Sequence, residues 1–220
     1  MSKNTQIYYK ILKLKRGPVT ASLTIDSLEK PVKVPLELVN REALEEKMLI
    51  SAVLLSDLND EAEDLQCETK AVALLSRRDH SVGELKRKLR QKKFSEEAIS
   101  RTVSIYKKSG LLDDKSYAEK IVSRQLAEKP SGRPYLISLL MSKLIMRELA
   151  EETVNSLYQS EDELGLAVSA LGKRWNQYSQ FELEEARRKA YNYLSRKGFS
   201  YGIAKEAFEQ LRQEQEEYRD

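Results

Sequence analysis

One seven-residue pattern occurs three times in this 220-residue chain. Leu89-Arg90-Gln91-Lys92-Lys93-Phe94-Ser95 aligns with Leu140-Met141-Ser142-Lys143-Leu144-Ile145-Met146 and with Leu194-Ser195-Arg196-Lys197-Gly198-Phe199-Ser200. The copies are 51 and then 54 residues apart. The register holds without gaps through the helix that follows. Ala98, Leu149 and Ile203 correspond, then Val103, Val154 and Phe208, then Tyr106, Leu157 and Leu211. Apolar positions at steps of three to five define one buried stripe per copy. Helices are also expected before each copy, over 69–78, 115–128 and 161–177. The unit is therefore three helices. A unit of about 50 residues buries too little surface to be very stable alone, so neighbours are expected to share interfaces.

The fold class that follows is mainly α: three tandem three-helix repeats in an elongated array, preceded by a small β-containing N-terminal module. The expected divisions are 1–66, 67–112, 113–159 and 160–220, the last with an acidic tail that frays. In the N-terminal module, Ile11, Lys13 and Lys15 alternate with Leu12 and Leu14, Arg16-Gly17-Pro18 reads as a turn, and Val19 to Ile25 is β-rich. Val32-Lys33-Val34 suits a short third strand, giving a hairpin or three-stranded meander that must lean on helices. Residues 42–47 and 51–65 suit helix. Lys129-Pro130-Ser131-Gly132-Arg133-Pro134 must interrupt a helix, with Pro134 suited to the first turn of the next. Ser81 with Glu84, Ser160 with Glu163, and Ser179 with Glu182 have capping-box spacing.

Composition narrows the function classes. The chain is 33% charged, with 8 Gly and 5 Pro, which suits solvated amphipathic helices. No apolar run is long enough to span a membrane, and residues 1–6 lack the apolar core of a signal peptide. A single cysteine, Cys67, cannot form an internal disulfide, so a cytoplasmic protein is the simplest reading. Catalytic candidates are few. His80, the only histidine, reads as a solvated loop residue beside Asp79. Cys67 reads as a small apolar or exposed residue, and Trp175 as core or rim. Asp113-Asp114 reads as a helix cap rather than a metal pair. No zinc-type Cys–His spacing and no Gly-rich phosphate loop is present, and neither a cofactor nor a catalytic site is expected.

The strongest signal is charge. Residues 67–112 carry 12 Lys and Arg against 5 Asp and Glu, whereas 1–66 carry 9 against 11. Six cations, Lys86, Arg87, Lys88, Arg90, Lys92 and Lys93, crowd one short stretch. Leu85 and Leu89 face inward there, so the cations must mostly face outward. They suit phosphates or an acidic protein surface. Lys107 and Lys108 end the next helix, where they also complement its dipole. Arg133 stands in the Pro-rich break. Arg187, Arg188, Arg196 and Lys197 offer a weaker version in the third repeat, with Glu184 and Glu185 near to neutralise them. One reading of the first repeat alone is a helix-turn-helix-like unit that binds DNA independently.

Ala73-Leu74-Leu75-Ser76-Arg77-Arg78-Asp79-His80-Ser81, followed by Glu84-Leu85 and Leu89, resembles the opening signature of the bacterial regulatory protein RecX family. Gly110-Leu111-Leu112-Asp113-Asp114-Lys115-Ser116-Tyr117-Ala118 resembles that family's link between its first and second repeats. Arg196-Lys197-Gly198-Phe199-Ser200 resembles its third-repeat signature. The resemblance spans residues 67–211; the N-terminal segment is similar only in style. The family tends to place Gly where this chain has Lys93, Leu144 and Gly198. Glycine there allows a left-handed cap, so the turns at Lys93 and Leu144 are expected to be less sharp. The resemblance implies a modulator of RecA, the recombinase that forms filaments on single-stranded DNA. Restraint of its ATP hydrolysis, strand exchange and promotion of LexA cleavage would follow, with roles in DNA repair, recombination and the SOS response. The expected partner is the RecA filament with its single-stranded DNA, with weak direct DNA binding, no membrane association and a monomeric chain.

Overall fold

The computed structural model describes residues 7–158 and 163–217. The expected Ser160 cap, the start of the helix expected over 161–177, and the ends of the chain lie outside the described residues. The chain divides into two compact units, one made of 1–79 with 85–111 and the other of 80–84 with 112–220.

The first unit opens with strands β1 (Tyr8–Arg16), β2 (Thr20–Ile25) and β3 (Val32–Pro35). A fourth, β4 (Leu49–Ser51), pairs antiparallel with β1 and completes a sheet in the order β3-β2-β1-β4. The sequence reading missed β4, because three residues carry no alternation long enough to read. The alternation in β1 is also broken: the β1–β2 register shifts between Ile11 and Lys13, and Leu12 is exposed while Ile11 is buried. Helix α1 (Leu36–Arg41) replaces the helix expected over 42–47. Ala43 and Lys47 there take φ of 47° and 70°, which no helix accommodates. The two helices expected over 51–65 and 69–78 are one, α2 (Ala52–Leu75), capped by Ser51, whose hydroxyl accepts from the Leu54 amide at 3.2 Å. Leu55, Leu58 and Ala62 of α2 close the core over Ile11, Leu23, Ile25, Val34 and Ile50 of the sheet. Position 66/67 thus falls inside an unbroken helix.

Helix α4 (Glu96–Lys108) packs on α2. Ser95 caps it, accepting from Ala98 N at 3.3 Å, and Ser95 is itself held by Glu63 of α2, which accepts its amide and hydroxyl at 2.7 Å each. Between these runs α3 (Val82–Arg90), whose residues divide between the two units.

The second unit holds α5 (Asp114–Glu128), α6 (Arg133–Ser142) and α7 (Arg147–Tyr158), then α8 (Glu163–Tyr178), α9 (Leu183–Arg196) and α10 (Tyr201–Glu217). Asp113 caps α5, accepting from Lys115 N at 2.9 Å and Ser116 N at 3.1 Å, and Pro134 sits in the first turn of α6. The Ser179–Glu182 box does not form; Glu182 is itself the N-cap of α9 and makes no side-chain cap.

The repeat is visible position by position. Leu85, Leu136 and Ala190 are buried, as are Leu89, Leu140 and Leu194, and Val103, Val154 and Phe208. Cys67 takes the fully buried place that Ala118 takes in the second copy, 51 residues on. All three turns are sharp. Lys93, Leu144 and Gly198 adopt φ of 66°, 58° and 85°, so the left-handed cap persists without glycine in two copies. In the later two, the amides of Ile145 and Phe199 reach back to the carbonyls of Leu140 and Leu194 at 3.3 and 3.1 Å, closing the helix end.

Within the second unit these turns serve as joints. The Lys143–Leu144 turn covers the segment 80–84: Ser81 Oγ donates to Lys143 O, and a Cβ on Gly83 would lie 2.6 Å from Leu144 Cβ. The Lys197–Gly198 turn covers Gly132 in the same way, with Gly132 N donating to Lys197 O at 2.8 Å. Ser81 and Gly132 are equivalent positions, 51 residues apart. Each turn of a later repeat is thus seated on the start of the middle helix before it. His80 itself is only 5% exposed, which corrects the reading of a solvated loop histidine.

Candidate partner-binding surfaces

The cations of α3 and its following turn divide by environment. Arg87, Lys92 and Lys93 are exposed, and Lys86 and Lys88 are half-buried. Among the described residues these five have no acidic partner within ion-pair distance. Arg90 differs: its Nε and Nη2 donate to the two Glu96 oxygens at 2.5 and 2.7 Å. That fork holds Glu96 below the usual carboxylate range, the hydrogen bonds from Arg90 leading and Lys86 adding a smaller field. Lys92 and Lys93 line an open cleft of about 700 Å³ with Lys30 and Glu63. Lys107 and Lys108 are exposed at the end of α4. On the neighbouring face, Arg101 is engaged by Asp64 at 2.6 and 2.9 Å. The strand of positive charge left uncompensated is therefore Lys86–Lys88 with Lys92–Lys93.

The candidates of the second unit fare unequally. Arg133 lies over the Tyr158 ring at 4.6 Å and donates to Asn155 at 3.0 Å, so it is committed to packing α6 against α7. Arg187 is bound by Glu184 at 2.8 Å and Glu209 at 3.4 Å, the neutralisation expected for this stretch. Arg188 is exposed beside it. Arg196 and Lys197 instead line a cleft of about 270 Å³ with Tyr135, Arg174, Tyr178 and Tyr193, a grouping that sequence reading did not assemble. Its sequence signal is faint: Tyr193 and Lys197 stand one helical turn apart, but Arg174 and Tyr135 come from other helices.

Residues considered for chemistry are otherwise accounted for. Burial pushes the Cys67 thiol above its ordinary value, against the smaller pull of the Thr102 hydroxyl. Trp175 is core, edge-on to Phe208 at 5.4 Å, with its indole N–H donating to Gln215 at 3.1 Å. Among the described residues no group of three or more His, Cys, Asp or Glu side chains is placed to hold a metal ion. Nor is any described helix long and apolar enough to cross a membrane.

A small sheet followed by successive three-helix units defines a helical-repeat protein. Residues 67–104 match the family model described as RecX, first three-helix domain, and 161–208 match RecX, third three-helix domain. The regulatory protein RecX of Pelodictyon phaeoclathratiforme is 31% identical over 133 residues, 60% of this chain and 81% of that one. That of Chlorobium phaeobacteroides is 28% identical over 151 residues, 69% of this chain and 97% of its own. A crystal structure of a regulatory protein RecX superposes with a TM-score of 0.70 over 90% of this chain and 97% of its own at 17% identity. RecX from Lactobacillus salivarius does so at 0.60 and 26% identity, over 68% and 96%. The chain belongs to the RecX family of regulatory proteins.

Proposed function

We propose that this chain restrains the RecA recombinase by binding the filament that RecA forms on single-stranded DNA, acting as a cytoplasmic monomer without catalysis or cofactor of its own. The family membership supports a regulatory role. The observation that carries the contact surface is the cationic run of α3. Of the six cations of α3 and the turn after it, Arg90 is neutralised by Glu96, and the other five, which make no ion pair among the described residues, offer charge to phosphates or to an acidic filament face. The candidate contacts on this reading are Lys86, Arg87, Lys88, Lys92 and Lys93, with Lys107 and Lys108 at the end of α4.

The test compares the unaltered protein with Arg87→Glu/Lys88→Glu/Lys92→Glu in RecA-dependent ATP hydrolysis on single-stranded DNA. These side chains make no described ion pair, so the melting temperature should hold while inhibition weakens. Inhibition equal to that of the unaltered protein would remove the cationic-face mechanism.

A further inference from the structure

The cleft between α6, α8 and α9 combines rings and cations without an acid. Tyr135 of α6, Arg174 and Tyr178 of α8, and Tyr193, Arg196 and Lys197 at the end of α9 line it. Three are aromatic, three are cationic and none is acidic. The Arg174 guanidinium lies over the Tyr193 ring at 5.2 Å, and Lys197 Nζ stands 5.7 Å from the Tyr135 ring and 6.0 Å from that of Tyr193. Tyr135 is brought into place by the Gly132–Gly198 joint, where the backbones touch without a side chain between them. Burial, with Lys129, Lys173 and Arg174 repelling it, depresses the Lys197 ammonium. No carboxylate lines the cleft among the described residues, so an arriving anion relieves the repulsion between its cations. The equivalent positions of the preceding joint carry Glu84, Leu139, Ser142 and Lys143 in place of Tyr135, Tyr193, Arg196 and Lys197. The joint is common to both; its aromatic–basic lining is particular to the second.

We infer that this cleft binds single-stranded nucleic acid, the rings and the Arg174 guanidinium taking a base and Lys197 with Arg196 taking the adjoining phosphate. Rings interleaved with cations, without acids, match a stacking platform on a charged track. An acidic peptide would use the cations but leave the tyrosines idle. The inference does not depend on the recombinase reading, since it concerns the protein alone with an oligonucleotide, and either can fail without the other.

The experiment measures fluorescence anisotropy of a short labelled oligothymidylate titrated with the full chain, and of the same chain length made of abasic sites. The unaltered protein should bind the oligothymidylate more tightly. Arg174→Gln and Arg196→Gln, both at exposed positions, should each weaken it about tenfold and flatten the salt dependence by about 0.7 in log–log slope. Tyr135→Leu should weaken oligothymidylate but leave the abasic chain unchanged, a difference that misfolding would not produce. The inference is overturned if the unaltered protein does not bind, if these variants bind normally, or if only Lys88→Gln and Lys92→Gln lose binding. Displacement by oligoglutamate as effective as by unlabelled oligothymidylate would overturn it in favour of an acidic protein ligand.

Discussion

Gly132 and Gly198 meet backbone to backbone: the Gly132 amide is held by the carbonyl preceding Gly198, and a Cβ on Gly132 would overlap the Gly198 carbonyl. Gly198 is doubly constrained, since its φ is 85° and its own Cβ would fall 2.8 Å from the Tyr135 backbone nitrogen. Gly132→Ala and Gly198→Ala should each cost about 1–3 kcal/mol, one by overpacking and one by strain. Urea unfolding midpoints would measure this. Gly172→Ala, inside α8 with nothing within 4 Å of the added Cβ, should instead raise stability by about 0.5–1 kcal/mol and serves as the contrasting control.

Lys93 makes the opposite case. It holds a left-handed conformation that costs an L side chain about 1–2 kcal/mol, and its side chain is exposed. Lys93→Gly should therefore raise stability by about 1 kcal/mol. If the cationic face binds the recombinase filament, the same variant should inhibit less well. A stability gain paired with a functional loss, read by thermal melting and ATP hydrolysis, would show why a cation is kept at a position that favours glycine.

Ser81 accepts from Glu84 N at 3.0 Å and donates to Lys143 O while fully buried. Ser81→Ala should cost about 1–2 kcal/mol by denaturant unfolding, more than capping alone, because the Lys143 carbonyl also loses its donor. Restoration by Ser81→Thr to within a few tenths of a kcal/mol would be inconsistent with the tight joint, which leaves little room for a methyl group.

Cys67 should be inert in the native state. Its thiol is fully buried and its pKa lies above the ordinary value, so at about pH 8.5, where a free cysteine is half ionised, it carries less thiolate. Iodoacetamide labelling at that pH should be slow without denaturant and prompt in urea. Native labelling should quicken only as pH rises through the raised pKa. Rapid labelling at neutral pH would contradict the burial. Cys67→Ser should cost about 1–3 kcal/mol by placing a hydroxyl at a position that alanine fills in the second copy.

What the sequence made legible was periodic. Val103, Val154 and Phe208 could be aligned because each copy repeats its apolar stripe, and Asp113 could be read as a cap because capping is local. What it hid was distant or short. The burial of His80 has no local signal beside Asp79, β4 has three residues, and the Tyr135–Arg174–Lys197 cleft gathers residues from three helices. The fate of each cation was likewise a tertiary matter. Arg90 and Lys88 look alike in the sequence, yet Glu96 lies in reach of only the first. Even the missing glycines misled, because helix-end hydrogen bonds and packing hold Lys93 and Leu144 left-handed regardless.

ATP hydrolysis by the cognate RecA on single-stranded DNA, titrated with the full chain, is the most direct test of the proposed restraint of the recombinase. Hydrolysis should fall saturably with added protein, and fall much less with Arg87→Glu/Lys88→Glu/Lys92→Glu at equal melting temperature. Hydrolysis that stays constant up to a large molar excess of the unaltered protein would contradict it.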